Sequence, residues 1–88
     1  YSSAASDVYK RQNVDGIKIK KNLTDRELEV LQYVVAGKTN KEIAQILTIT
    51  HHTVKAHVAS IIRKIGVKNR LDAALLAVTK GIVNPRQG

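Results

Sequence analysis

One segment near the middle of this chain carries cationic side chains but no acidic ones. Between Ile43 and Leu71 there is no Asp or Glu. The same segment contains five Lys or Arg residues and all three His residues, namely Lys55, Arg63, Lys64, Lys68, Arg70, His51, His52 and His57. Lys and Arg donate to phosphate oxygens and to base edges, and they neutralise phosphate charge. The pattern therefore favours a polyanionic partner, either a nucleic acid or an anionic membrane surface.

The composition agrees with such a partner and argues against catalysis. The 88 residues carry a net charge of +8, from 15 Lys and Arg against 7 Asp and Glu. There is no Cys, which excludes disulfides, zinc clusters with Cys ligands and thiol catalysis. No glycine-rich phosphate loop is present, and Glu27 and Glu29 fit capping and surface roles better than paired acid–base work. We therefore expect no enzyme activity and no cofactor.

The sequence also predicts that the protein has neither a metal site nor a membrane partner. His52 and His57 diverge around a helix and have no carboxylate nearby in the chain, so we predict no metal site. The sequence shows no signal-peptide pattern and no apolar run of membrane-spanning length. We expect a soluble, cytoplasmic protein without a membrane partner.

An all-α fold is predicted, because four helical patterns and no strand pattern occur between residues 23 and 83. Thr24 and Glu27 form a capping box that starts the first helix, and Gly37 suits its end. Thr39 and Glu42 form a second capping box before a short helix.

The third and fourth predicted helices are longer. Thr50 can cap the third helix (about 51–65), and Gly66 suits its end. Its apolar residues recur at helical spacing, namely Val54, Val58, Ile61, Ile62 and Ile65. Asn69 can cap the fourth helix (about 69–80). The fourth helix presents one apolar face, formed by Leu71, Ala74, Leu75 and Val78, with Ala73, Leu76 and Ala77 on its flanks.

Only Thr48 to Thr50 separate the second and third helices, which is typical of a helix-turn-helix. An ordinary helical hairpin is the alternative. The face of the third helix opposite its apolar stripe is small and polar, and it consists of His52, Ala56, Ala59 and Arg63 with Lys55, Ser60 and Lys64 beside them. Solvated helix faces usually mix acids with bases. This face has no acid, so we favour insertion into a DNA major groove, about 12 Å wide.

Four segments resemble one known family. They are Leu23 to Leu31 (LTDRELEVL), Gly37 to Leu47 (GKTNKEIAQIL), Thr53 to His57 (TVKAH) and Lys64 to Arg70 (KIGVKNR). In this order they resemble the LuxR/NarL-type (FixJ-type) DNA-binding domain of bacterial transcription regulators. The resemblance implies a four-helix bundle whose third helix reads double-stranded DNA and whose fourth helix pairs two copies.

The resemblance also implies roles for individual residues. Lys55, Ala56 and Ala59 match positions that face base edges, and the outer face adds His52. The predicted contacts to the DNA backbone are Lys41, Thr53, His57, Arg63, Lys64, Asn69 and Arg70. The predicted dimer interface consists of Leu71, Ala74, Leu75 and Val78.

The same resemblance also implies what the complete protein does and which partners it has. We expect a sequence-specific transcription-regulator output domain that binds as a homodimer, with a receiver or ligand-sensing domain N-terminal to it and RNA polymerase as a candidate partner. The alternatives are a sigma-factor-type promoter module and a basic helical protein-interaction module. Predicted boundaries are a disordered or linker segment at 1–22, the domain at 23–83 and a tail at 84–88. Residues 2–12 resemble a translated adapter, so 1–12 are a candidate non-native extension.

Overall fold

A computed structural model describes residues 16–83, and this part of the chain contains five helices and no strand. The first helix, α1, covers residues 16–22. The others are α2 (Asp25–Val35), α3 (Asn40–Leu47), α4 (His51–Ile65) and α5 (Arg70–Thr79). The all-α prediction is confirmed, and α2 to α5 are the four predicted helices. None of the helices in 16–83 is long and apolar enough to cross a membrane.

The helix starts follow from local capping chemistry. Thr24 and Thr39 accept hydrogen bonds from the backbone N–H groups of Glu27 and Glu42, and each Glu side chain accepts the N–H of its Thr in return. Both predicted capping boxes are therefore present. Thr50 and Asn69 cap α4 and α5 by accepting from residues three positions later. Each cap satisfies backbone donors that have no partner within the helix.

The turn between α3 and α4 contains one residue in an unusual backbone conformation. Thr48 ends α3 with φ 57° and ψ 46°, which is the left-handed region. A β-branched residue rarely adopts this conformation, because its Cβ crowds the following carbonyl. The backbone N–H groups of Thr48 and Ile49 both donate to the carbonyl oxygen of Ala44, and these bonds hold the turn closed. No local sequence signal predicted this conformation.

The core is formed where α4 packs against the other helices. Val54 and Ile61 of α4 are buried together with Val30 and Leu31 of α2 and Ile43 of α3. Val58 and Ile65 are partly buried against the same cluster. Four of the five residues of the predicted inward stripe thus belong to or pack on the core, whereas Ile62 is half-buried outside this cluster. Burial of these aliphatic side chains anchors α4 on one side.

Helix α1 lies within residues 1–22, which were predicted to be a disordered or linker segment. Ile19 of α1 packs against the core, and Leu23 directly after the helix is buried. Gly16 lies so close to the end of α5 that an added Cβ would be 2.2 Å from the carbonyl oxygen of Lys80. These long-range contacts explain a helix that the local pattern did not indicate. The predictions for residues 1–15 and 84–88 lie outside the described residues.

Candidate nucleic-acid interface

The helix-turn-helix consists of α3, the turn at residues 48–50, and α4. Ala44 of α3 is buried and small, which permits a close approach between the two helices. Ile43 and Val54 are fully buried on either side of the turn. Thr50 caps α4, and its hydroxyl lies 2.7 Å from that of Thr53. The angle of α4 relative to α3 is thus set by these apolar contacts and by the backbone hydrogen bonds of the turn to the Ala44 carbonyl oxygen.

The outer face of α4 is exposed, as the sequence pattern predicted, although Ser60 and Lys64 at its edge are half-buried. All the residues predicted to face base edges are exposed, namely His52, Lys55, Ala56 and Ala59. Arg63 continues the same exposed stripe toward the end of the helix. There is no acidic residue in α4. A face with small side chains and long cationic donors can approach a groove closely and can donate to base edges.

One acidic side chain nevertheless reaches the edge of α4 from another helix. Glu27 is the only polar or charged residue among 16–83 that is buried, with 4% of its surface exposed. Its carboxylate accepts hydrogen bonds from Ser60 Oγ at 2.5 Å and from Lys64 Nζ at 2.8 Å. It also accepts the backbone N–H of Thr24 at 2.8 Å. We call the side chains of Glu27, Ser60 and Lys64 the polar clamp.

The clamp keeps Glu27 ionised. Burial alone would raise the pKa of this carboxyl group, because it disfavours the charged form. The hydrogen bonds from Lys64, Ser60 and the Thr24 backbone, together with the charge of Lys64, outweigh that effect and lower the pKa to about 2. The sequence analysis interpreted Glu27 as a capping partner only. Its partners on α4 are 33 and 37 residues away, so local spacing could not reveal them.

The residues predicted to contact the DNA backbone fall into three groups: exposed residues, half-buried residues, and residues that are bonded within the protein. Lys41, Arg63 and Asn69 are exposed, and the side-chain oxygen of Asn69 accepts the backbone N–H of Asp72. Thr53 and His57 are half-buried along one edge of α4.

Lys64 and Arg70 form the third group, because both side chains donate hydrogen bonds to other residues of the same chain. Lys64 belongs to the polar clamp. The guanidinium of Arg70 donates to Asn40 Oδ1 and to the carbonyl oxygen of Lys38. The sequence analysis did not identify Asn40 or Lys38 as partners, since both lie about 30 positions earlier.

Helix α5 presents an exposed apolar strip. Leu71, Leu75 and Val78 are 67%, 58% and 41% exposed. Ala74, which was predicted beside them, packs partly against the core of its own chain. Ala73 and Ala77, predicted as flanks, are the buried residues of this helix. The two small Ala side chains allow α5 to lie close to the core, and this orientation leaves the larger Leu and Val side chains outside.

Within residues 16–83 no three His, Cys, Asp or Glu side chains are grouped closely enough to hold a metal ion. A short helix and a longer one joined by a tight turn, the second presenting an exposed acid-free face, define a helix-turn-helix DNA-binding domain. The chain matches the family described as bacterial regulatory proteins, luxR family, over residues 21–77. It therefore belongs to the luxR family of bacterial regulatory proteins.

Individual relatives agree with this family. The chain is 48% identical over 63 residues to the transcriptional regulatory protein LiaR of Bacillus subtilis, covering 72% of this chain and 30% of LiaR. It is 44% identical over 54 residues to the nitrate/nitrite response regulator protein NarP of Escherichia coli, covering 61% and 25%. It is 43% identical over 61 residues to the transcriptional activator protein AnoR of Acinetobacter nosocomialis, covering 69% and 26%. The chain thus spans less than a third of the length of these curated relatives.

Proposed function

We propose that this domain reads DNA sequence by placing the outer face of α4 in the major groove, as the output domain of a transcription regulator. The single observation that carries this proposal is the exposure of His52, Lys55, Ala56 and Ala59 on a helix anchored by buried Val54 and Ile61. A helix fits a groove of about 12 Å only if the residues facing the bases are small or can extend along it. The side chains of this face satisfy that requirement.

The proposed base contacts follow from side-chain chemistry. Lys55 can donate to guanine O6 or N7, and the Ala56 methyl group can contact a thymine methyl group. Ala59 and His52 complete the surface that faces the bases. Ala59 has no hydrogen-bonding side chain, so we expect specificity to rest on few direct contacts.

The proposed backbone contacts surround this face. Lys41 and Arg63 are exposed cations that can neutralise phosphates. Thr53 and His57 lie along one edge of α4, where they can donate to phosphate oxygens. Asn69 stands at the start of α5, where free backbone N–H groups favour an anion. Such contacts orient the protein on the duplex without reading sequence.

We further propose that two copies pair through α5 on DNA. Leu71, Leu75 and Val78 recur on one side of the helix and expose a continuous apolar strip that a single copy leaves uncovered. A two-fold pair would bind two half-sites related by a dyad. The same strip argues against a sigma-factor-type module, which has no evident use for it.

The expectations about the whole regulator are proposals as well. The relatives are more than three times as long as the matched segment, which supports a receiver or ligand-sensing domain in the complete protein. RNA polymerase is the proposed partner of the assembled regulator, and the cytoplasm is the proposed compartment. The proposal includes no catalytic step.

Selection of bound duplexes from random DNA tests the central proposal. We expect one enriched site with internal two-fold symmetry. Its affinity should fall steeply between about 50 and 200 mM salt, because phosphate contacts release counterions. A duplex of the same length and composition in shuffled order is the control, and it should bind more weakly. If no sequence is enriched and binding is insensitive to salt, the domain is a protein-interaction module instead.

A further inference from the structure

The polar clamp connects the start of α2 to the groove-facing helix. Glu27 lies in the first turn of α2, whereas Ser60 and Lys64 lie one turn apart on α4. Two of the three hydrogen bonds to the Glu27 side chain therefore come from α4, at 2.5 and 2.8 Å. The third comes from the Thr24 backbone and holds the carboxylate in place from its own helix.

The clamp adds directional contacts to the apolar packing that anchors α4. Aliphatic contacts are non-directional, so the packing of Val54 and Ile61 defines the rotation of α4 about its axis less sharply than hydrogen bonds do. Hydrogen bonds to a fixed carboxylate are directional and short-ranged. Bonds at Ser60 and Lys64 therefore define which side chains of α4 point outward.

We propose that Glu27, Ser60 and Lys64 set the rotation of α4 for base reading, with Lys64 a positioning residue and not a phosphate ligand. This inference rests on the proposed DNA-reading function. It assigns to α2 a part in sequence recognition, although α2 contributes no side chain to the exposed face.

The charge balance supports this role for Lys64. Its ammonium group is 2.8 Å from a carboxylate that has 5% of its side chain exposed. If Lys64 moved to a phosphate, Glu27 would remain buried without its cation, which is strongly unfavourable. Arg63, the neighbouring residue, is exposed and free of any acidic partner among residues 16–83. The two adjacent cations therefore make different contributions to binding.

Salt-dependent binding of three variants to the selected and shuffled duplexes tests the inference. The variants are Lys64→Met, Ser60→Ala and the matched control Arg63→Met. Each is first shown by thermal unfolding to be fully folded at the assay temperature. Lys64→Met should reduce the ratio of specific to non-specific affinity on the order of tenfold, which equals the loss of one base contact. The slope of log affinity against log salt should not change.

The other variants give the contrast. Ser60→Ala should also lower the specificity ratio without changing the slope. Arg63→Met should weaken binding to both duplexes alike and make the slope shallower by about 0.9. The inference is overturned if Lys64→Met behaves as Arg63→Met does. It is also overturned if folded Lys64→Met and Ser60→Ala bind like the unsubstituted chain. Failure of the proposed function would be seen separately, as an unsubstituted chain with neither salt dependence nor sequence preference.

Discussion

The guanidinium of Arg70, the first residue of α5, donates a hydrogen bond to the side-chain oxygen of Asn40, the first residue of α3. A second hydrogen bond from Arg70 reaches the carbonyl oxygen of Lys38 just before α3. Burial lowers the pKa of Arg70 from its usual value, but a guanidinium remains charged at physiological pH. Arg70 thus fixes the start of α5 against the start of α3, the first helix of the helix-turn-helix.

The first prediction concerns the stability that Arg70 provides. Arg70→Met should lower the free energy of unfolding by about 1–3 kcal/mol, because Asn40 and the Lys38 carbonyl lose a charged donor. Urea unfolding measures the change. Arg63→Met is the matched control on an exposed site and should stay within about 0.5 kcal/mol. Equal losses in the two variants would show that the Arg70 contacts contribute nothing beyond an ordinary surface Arg.

The second prediction concerns pH. The pKa of Glu27 is about 2 in the folded chain and 4.5 as its ordinary value. A lowered pKa stabilises the fold above pH 4.5, and this contribution is lost as the pH falls from 4.5 toward 2. Because Lys64 is 30% exposed, solvent weakens the ion pair, and we expect a loss of about 1–3 kcal/mol.

Urea unfolding at several pH values checks this loss, with Glu27→Gln as the comparison. The Gln side chain cannot ionise, so its variant should be less stable near neutral pH and should lose less stability on acidification. Parallel pH profiles for the two proteins would show that another group is responsible.

The third prediction concerns Thr48. Thr48→Gly should raise the free energy of unfolding by about 0.5–1 kcal/mol. The left-handed conformation costs a residue with a Cβ about 1–2 kcal/mol, and the greater freedom of Gly when unfolded offsets about 0.5–1 kcal/mol. Thr48→Ala retains the Cβ and should show little change. If both variants unfold at the same urea concentration, the turn is not strained at this residue.

The fourth prediction concerns base reading by Lys55. Lys55→Ala should weaken binding to the selected site by about 1–3 kcal/mol and relax the preference at one base position. Repeating the selection with the variant measures both effects. Lys20→Ala, which removes an exposed Lys from α1, is the control and should leave the preferred sequence unchanged. An unaltered preference in Lys55→Ala would remove this residue from the base-reading set.

The fifth prediction concerns pairing through α5. Leu75→Asp or Val78→Asp should weaken cooperative binding to the two half-sites while the single copy remains folded, because both side chains are exposed. Sedimentation and DNA titration measure the effect. Ala77→Asp buries a charge in the core and should unfold the domain. Leu75→Asp would contradict the prediction if it unfolded the chain as Ala77→Asp does.

The sequence alone determined the helices from α2 onward and the outer face of α4. Capping boxes, terminal glycines and apolar periodicity depend on residues within about four positions, so they can be read without knowing the fold. The exposed positions of Lys55, Ala56 and Ala59 followed from the inward stripe of the same helix. The family resemblance rested on these same local motifs.

Only the tertiary structure decided which charged side chains remain available to a partner. Lys64 and Arg70 look like free cations in a segment without acids, but the fold brings Glu27 to one and Asn40 to the other. It also placed Ala74 against the core and folded residues 16–22 into a helix beside Lys80. These outcomes depend on how helices pack across about 30 or more positions of sequence, and no local spacing carries that information.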